Sequence, residues 1–387
     1  MPNSTTVAEQ TALTRSQRKD SRYHLTATIF QGMPLLCIGS RQFPINFAEG
    51  DIHTFNKLFI AILENLRLDV QKQGIDLNNC PHDYLTQLRD LGKAAYNKIL
   101  PTAARKYLKD VEQEEQKRGL SLTFQTPATF SFFWEMLYAG SPFEVAQEQF
   151  WGFHYPIGRT YWGELKFSDR IRLQQGILSA IHHKLKYSRQ EIEQIKQHLD
   201  KACEILQLKL AFELLEQRLP AQDPCIATLI QLFNDEEFKH GIIHFACHCD
   251  NSLLSLTVHE EKLEIELEEL LIWQDYGFQN RPFVFLNACA SATLGNLLQT
   301  LKFPTEMLNF GAGGVIATAC IIPDNFASAF ASKFYEILFH QLARDVPVNI
   351  GEVLLETRLF FLNKYNNPLG LAYGLYALSN QQLRLTE

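Results

Sequence analysis

Two short stretches of this chain carry residues able to do covalent chemistry. One is His244-Phe245-Ala246-Cys247-His248-Cys249-Asp250 and the other is Leu286-Asn287-Ala288-Cys289-Ala290-Ser291. Each closes an apolar run rich in small and β-branched residues, 241–247 and 282–288. Runs apolar on both faces suit buried parallel strands. In open α/β sheets, reactive groups stand just beyond the carboxyl ends of such strands. If the two strands are neighbours, His248 and Cys289 meet, and the chain between them is long enough for one crossover helix with its loops. A cysteine is a good nucleophile as the thiolate, and an adjacent imidazole supplies first the base and then the acid for a leaving amine. The tetrahedral intermediate also needs backbone N–H donors aimed at its oxyanion. The amides of Cys249 and Cys289 are candidates, one on each loop. The small side chains of Ala288, Ala290 and Ser291 leave room for a peptide, so the spacing admits a Cys–His hydrolase.

Three other readings fit the same residues or their neighbours. Cys289 reads equally as an inert buried thiol, since free Cys is among the most buried residue types. His244, Cys247, His248 and Cys249 contain enough ligand atoms for zinc, but in a strand positions 244 and 247 face opposite sides. No second Cys-x-x-Cys pair follows. Gly311-Ala312-Gly313-Gly314 is glycine-rich, yet it precedes a strand instead of opening a helix, the wrong context for phosphate binding. It reads as a tight helix-to-strand turn. No metal or other cofactor is expected.

The elements that must position these residues follow from pattern. Residues 1–21 are polar without apolar periodicity and read as a flexible tail. Residues 23–38 alternate around a Gly32-Met33-Pro34 break and read as a hairpin. Phe55, Leu58, Phe59, Ile62 and Leu63 fall at helical spacing. A second helical region spans 85–108 and a third, charged one reaches Arg118. The bulky segment 132–138 reads as a core helix. From 165 the pattern changes to strand–helix alternation. Residues 171–181 read as a strand, and Ser188-Arg189-Gln190-Glu191 as a capping box before a helix with Ile192, Ile195 and Leu199 on one face. A strand at 206–212, a short helix at 228–233 and a helix at 263–273 follow, with 294–310 leading to a third buried run at 314–322. Phe326, Phe330, Phe334 and Ile337 mark another helix, Asn349 with Glu352 opens the next, and 371–378 closes as a strand. The expected fold is α/β, a mainly parallel sheet flanked by helices, with parts at 22–164 and 165–387.

The 387 residues are 46% hydrophobic and 20% charged, which excludes a disordered or fibrous chain. Lys and Arg number 36 against 43 Asp and Glu, a net charge of −7. That sign argues against direct nucleic-acid binding. No apolar run approaches the roughly 20 residues that span a bilayer, and the amino terminus has no signal-peptide core. Eight cysteines in such a chain read as reduced thiols of a cytoplasmic protein.

With these residues in place, the sequence resembles the CHAT family, caspase-like cysteine peptidases of clan CD. The likeness rests on His244-Phe245-Ala246-Cys247-His248-Cys249, on Phe285-Leu286-Asn287-Ala288-Cys289, and on Gly311-Ala312-Gly313-Gly314-Val315-Ile316-Ala317-Thr318. Ile322-Pro323-Asp324, the helix at 330–338 and Leu371-Ala372-Tyr373-Gly374-Leu375-Tyr376 add to it. Upstream, Leu88-Arg89-Asp90-Leu91-Gly92 and Phe133-Trp134-Glu135-Met136-Leu137-Tyr138 resemble elements of long CHAT domains.

The resemblance implies a caspase-type fold in which 165–387 is the catalytic subdomain and 22–164 an inactive, protease-like companion. It implies that His248 is the general base, Cys289 the nucleophile and His244 a structural strand residue. It implies limited proteolysis of a specific protein substrate in signalling or antiviral defence. The family's tetratricopeptide repeats are absent from the sequence, so the enzyme is expected to be latent until a partner protein, a ligand or oligomerisation activates it. The alternative is a catalytically silent interaction scaffold, which the presence of both dyad residues disfavours. Two departures stand out: Cys249 occupies the place of the family's usual Gly, and Ala319-Cys320-Ile321 stands where a Trp is frequent. In a caspase-like fold the loop carrying Asp324 helps line the substrate pocket, where a carboxylate favours Arg or Lys. The same Asp324, with Asn325, also reads as a helix N-cap.

Overall fold

The computed structural model of the chain describes residues 22–29, 35–45, 47–127, 130–162, 167–221, 224–250, 253–289, 302–344 and 347–385. At 49, 248–250, 288–289 and 302 it describes the backbone alone. The 1–21 tail, the Gly32-Met33-Pro34 break and the 294–301 part of the connection at 294–310 lie outside the described residues.

Strands β1 (Tyr23–Ile29) and β2 (Leu35–Ile38) form the expected hairpin, and β3 (Arg41–Pro44) pairs with β2. Helix α1 (Glu49–Gln73) turns Ile52, Phe59, Leu63, Leu66 and Val70 inward at steps of three and four, or their sums. The region 85–108 is two helices, α2 (Tyr84–Ile99) and α3 (Thr102–Glu114). Pro101 explains the break: it lacks an N–H, and its ring drives Leu100 into extended backbone. Strand β4 (Leu120–Thr126) lies parallel to β1.

The segment 132–138 is not a helix. A single 3₁₀ turn covers Trp134–Met136, while Trp151 N–H donates to the Leu137 carbonyl and Ala139 N–H to that of Gln149. Every residue from Phe132 to Tyr138 is buried, so no exposed stripe exists to favour helical periodicity. The four-residue helix α4 (Trp151–His154) leads into β5 (Ile157–Tyr161).

The region 171–181 is two strands in different sheets. β6 (Arg170–Leu173) pairs with the carboxy-terminal β16 (Gln382–Leu385), and β7 (Gly176–Ile181) joins the large sheet. Gly176 permits the change: its φ is 117°, and a Cβ there would meet the Ala211 carbonyl oxygen at 2.1 Å. Next come α5 (Ser188–Leu206), β8 (Ala211–Leu214), α6 (Ile226–Asn234) and β9 (Ile242–Asp250). The stretch at 263–273 is strand first and helix second. A hairpin of β10 (Leu253–Val258) and β11 (Glu261–Glu266) precedes α7 (Leu267–Ile272). Strand β12 (Phe283–Cys289), helix α8 (Lys302–Asn309), β13 (Gly314–Thr318) and α9 (Asp324–Leu342) follow. Then β14 (Val348–Asn349), α10 (Ile350–Tyr365), capped by Asn349 as expected, and β15 (Tyr373–Tyr376) precede β16.

The large sheet has thirteen strands among the described residues, in the order β11-β10-β9-β12-β13-β15-β5-β4-β1-β2-β3, with β7 and β8 attached at β9. Its interior pairs are parallel from β7 through β9 and β12 to β13, and again from β15 through β5 and β4 to β1. Antiparallel β13–β15 joins the two runs, and hairpins close both ends. The expected α/β class, a mainly parallel sheet flanked by helices, is the one observed. Strands from 22–164 and 165–387 share this single sheet through β5 and β15.

The sheet separates two cores. On one face Ile242, Phe283, Phe285 and Ile316 pack with Ile195 of α5, Phe330 and Phe334 of α9 and Phe361 of α10. On the other Ile243, Phe245, Cys247, Val284 and Leu286 pack with Phe233 of α6, Leu270 of α7 and Met307 of α8. Burying both faces is what allows the strands to be apolar throughout. No helix among the described residues is long and apolar enough to cross a membrane.

Candidate active site

Strands β9 and β12 are parallel neighbours, and their register is set along their whole shared length. Phe285 is opposite His244, Asn287 opposite Ala246, and Cys289 opposite His248. At the same level β10 arrives on the other edge of β9, with Ser255 opposite His248 and Leu254 opposite Cys249. Neighbouring strands lie about 4.8 Å apart. The backbones at His248 and Cys289 are therefore side by side at the carboxyl ends of two central strands. The side chains of His248, Cys249 and Cys289 lie outside what is described. Positions 244, 246 and 287, just below these strand ends, lie on the face covered by α5 and α9.

Beneath the ends of β9 and β12 lies a closed polar network in an otherwise apolar layer. Glu191 of α5 is 2% exposed, His244 0% and Asn287 1%. Glu191 Oε1 accepts from Asn287 Nδ2 at 2.7 Å and lies 2.8 Å from His244 Nε2. Tyr335 of α9 places its hydroxyl 3.3 Å from His244 Nδ1. Burial, reinforced by nearby Glu191, raises that phenol well above its ordinary range, so it keeps its proton. His244 thus bridges the Tyr335 hydroxyl and Glu191 through its two ring nitrogens. Asn287 Nδ2 also donates to the Ala327 carbonyl at 3.0 Å, while its Oδ1 accepts from the Tyr373 hydroxyl at 2.9 Å. The contacts from both strands meet at Glu191.

Glu191 is the buried link that the capping-box reading missed. Ser188 is already inside α5, and its hydroxyl donates to the Leu185 carbonyl. Glu191 turns inward instead of capping the helix. The signal was present: Glu191 stands four residues before Ile195 and eight before Leu199, on the apolar stripe.

Cys247 packs in the core on the opposite face from His244, so these two cannot share one metal. Elsewhere, Asp69, Cys80 and His82 each offer a ligand atom within 4.8 Å of one another. Hydrogen bonds already account for that cluster: Asp69 Oδ2 accepts from the Tyr84 hydroxyl at 2.5 Å and faces His82 Nδ1 at 2.6 Å and Cys80 Sγ at 3.4 Å. It locks the α1–α2 connection. Cys320, in the place of the family's frequent Trp, is fully buried, which pushes its thiol up and away from reactivity.

Asp324 is the first residue of α9. Its carboxylate accepts from the Tyr187 backbone N–H at 3.1 Å, and Ser328 Oγ donates to the Tyr187 carbonyl at 3.4 Å. The head of α9 thus grips the head of α5. Asn325 Oδ1 accepts from the Phe326 N–H. Gly311, with φ 101°, makes the expected helix-to-strand turn, and a Cβ there would meet the Phe278 carbonyl oxygen at 2.7 Å.

The sequence profile of the CHAT domain matches residues 89–349, well over half of the chain. The chain belongs to the CHAT domain family. A curated protein of a Vitiosangium species, named a probable protease, is 32% identical over 112 residues, 29% of this CHAT chain. The match spans only 14% of that relative's length. Among solved structures, the Arg-specific cysteine proteinase gingipain R aligns with 95% of this chain and 79% of its own, at 11% identity and a TM-score of 0.47. Separase in complex with securin, from Saccharomyces cerevisiae, aligns with 98% of this chain and 31% of its own, at 12% identity and a TM-score of 0.46.

Proposed function

We propose that this CHAT domain is a caspase-like cysteine endopeptidase with His248 as general base and Cys289 as nucleophile. The observation that carries the reading is the register pair itself, Cys289 opposite His248 at the ends of two adjacent parallel strands. In this mechanism His248 takes the thiol proton, the thiolate attacks the scissile carbonyl, and the oxyanion is held by the amides of Cys249 and Cys289. Collapse of the intermediate breaks the peptide bond, and the imidazolium gives its proton to the departing amine. Water, deprotonated by His248, then releases the acyl group and restores the thiol.

The reading extends to limited proteolysis of one protein substrate in cytoplasmic signalling or defence. Region 22–164 acts as the inactive companion, Asp324 lines the substrate pocket, and activation comes from a partner protein, a ligand or oligomerisation. The test uses the full chain produced in its own host cells, with cell extract supplying any activator, against a peptide library. Cleavage that disappears in both Cys289→Ala and His248→Ala supports the peptidase. Cleavage that survives in folded Cys289→Ala contradicts it. Complete absence of cleavage and of active-site labelling in the wild type leaves the scaffold reading.

A further inference from the structure

We infer that Glu191 is a positioning residue for the His248–Cys289 pair, acting through a buried clasp of His244 and Asn287; this rests on the peptidase reading above. Three observations meet here. A single carboxylate oxygen of Glu191 contacts both strands, β9 at His244 and β12 at Asn287. The two contacts lie on the face covered by α5 and α9. They are also close below the strand ends: Asn287 is two residues before Cys289 and His244 four before His248, roughly 7 Å and 13 Å along the strands.

The clasp is more than packing requires. A buried carboxyl held by an imidazole and an amide is a costly way to join two strands that already share a full backbone ladder. Replacing these groups with apolar side chains of similar volume would cost nothing in strand pairing. What the network supplies is geometry. Tyr335 orients His244, Tyr373 orients Asn287, and α5 delivers Glu191 between them, so the two strand ends are fixed against sliding and twisting. Dyad chemistry needs this, since a misplacement of about 1 Å can cost on the order of 10² in rate.

The test reads the thiol directly and needs no substrate; host-cell extract supplies any activator, as in the cleavage test above. Iodoacetamide is reacted with the full chain at about pH 6, where an ordinary free thiol of pKa about 8.5 is almost wholly protonated. Alkylation at Cys289 is followed by peptide mass spectrometry. Wild type is expected to react much faster at Cys289 than His248→Ala does. Glu191→Gln is expected to lose roughly ten- to a hundredfold in that rate, approaching the His248→Ala value. The double variant Glu191→Gln/His248→Ala is expected to fall no further, because Glu191 acts through the histidine.

Tyr335→Phe and Tyr373→Phe each remove one hydroxyl and keep the ring. They supply fold-sparing versions should Glu191→Gln not fold, and each is expected to lower the rate several-fold. A wild-type rate equal to that of His248→Ala overturns the dyad and this inference with it. A fast wild type, with Glu191→Gln or both tyrosine variants equally fast at Cys289 and only less heat-stable, overturns the positioning role alone.

Discussion

Two carboxylates, Glu135 and Glu191, are buried in this molecule to nearly the same degree, and their surroundings differ in kind. Glu135 sits between two guanidiniums. Arg159 binds it through both terminal nitrogens, and Arg358 reaches it at 3.2 Å. Burial pushes its carboxyl up, but Arg159 and then Arg358 outweigh that and hold it below its ordinary 4.5. Burial likewise pushes Arg358 down to about 10 against the pull of Glu135. Glu191 is met by an imidazole and an amide. Tyr373 touches both systems: its carbonyl accepts from Arg358 and its hydroxyl donates to Asn287. The first cluster ties together the turn at 134–136, β5 and α10, segments far apart in sequence, and compensates its charges as a structural joint must. The second stands under the proposed dyad, and among the described residues its carboxyl meets no Arg or Lys. Guanidinium-paired burial here belongs to the scaffold, and burial against an imidazole and an amide to the proposed site.

Variants that separate activity from stability sharpen this contrast. The largest effect is expected on the dyad side. His248→Ala, Cys289→Ala and the double variant should each lose cleavage by the same factor, on the order of 10⁶, since members of a catalytic unit are not additive. Urea midpoints should match wild type, and a large drop would blur the contrast. Next in size is Glu135→Ala, which strands two buried guanidiniums and should cost about 3–5 kcal/mol of stability by urea unfolding. Turnover per folded molecule should stay unchanged.

The sign of the pH dependence follows from the depressed carboxyl. Stability from Glu135 is complete above its unfolded value of 4.5 and is lost as pH falls through the lower folded value. The deficit of Glu135→Gln should therefore be constant at neutral pH and shrink only in acid. Third, Cys249→Gly should retain activity, while Cys249→Pro should lose roughly 10²–10³ in kcat, as the proposed oxyanion role of the amide, not the thiol, requires. The smallest effect is Asp324→Asn. A basic preference in a peptide-library profile should weaken by at most about 1 kcal/mol, roughly fivefold, since that carboxylate is only half-buried and already engaged by Tyr187. An unchanged profile leaves Asp324 as the link between α9 and α5.

The strands that carry the dyad were legible because burial on both faces wrote them as unbroken apolar runs, and their ends held a His and a Cys. The hairpin of β10 and β11 was not. Its two-residue turn uses His259 and Glu260, with φ of 49° and 71°, in place of the Asn-Gly or Asp-Gly that advertises such turns. Lys262, Glu264 and Glu266 then made a period-two strand resemble the start of the helix after it. The 132–138 segment failed for the opposite reason, since burial on all sides erases any period. Glu191 was hidden by ambiguity, because a Glu three residues after a Ser matches a capping box whether or not it caps. Its partners come from four other elements, β9, β12, α9 and β15, and only the folded register brings them together.

The central claim is that position 289 carries the nucleophile and position 248 activates it. The most direct test is a peptidyl electrophile applied to the activated full chain, with the modified residue located by mass spectrometry among the eight cysteines. The expected result is modification at Cys289 alone, lost in His248→Ala. Modification centred on another cysteine, or undiminished labelling of Cys289 in His248→Ala, would contradict the claim.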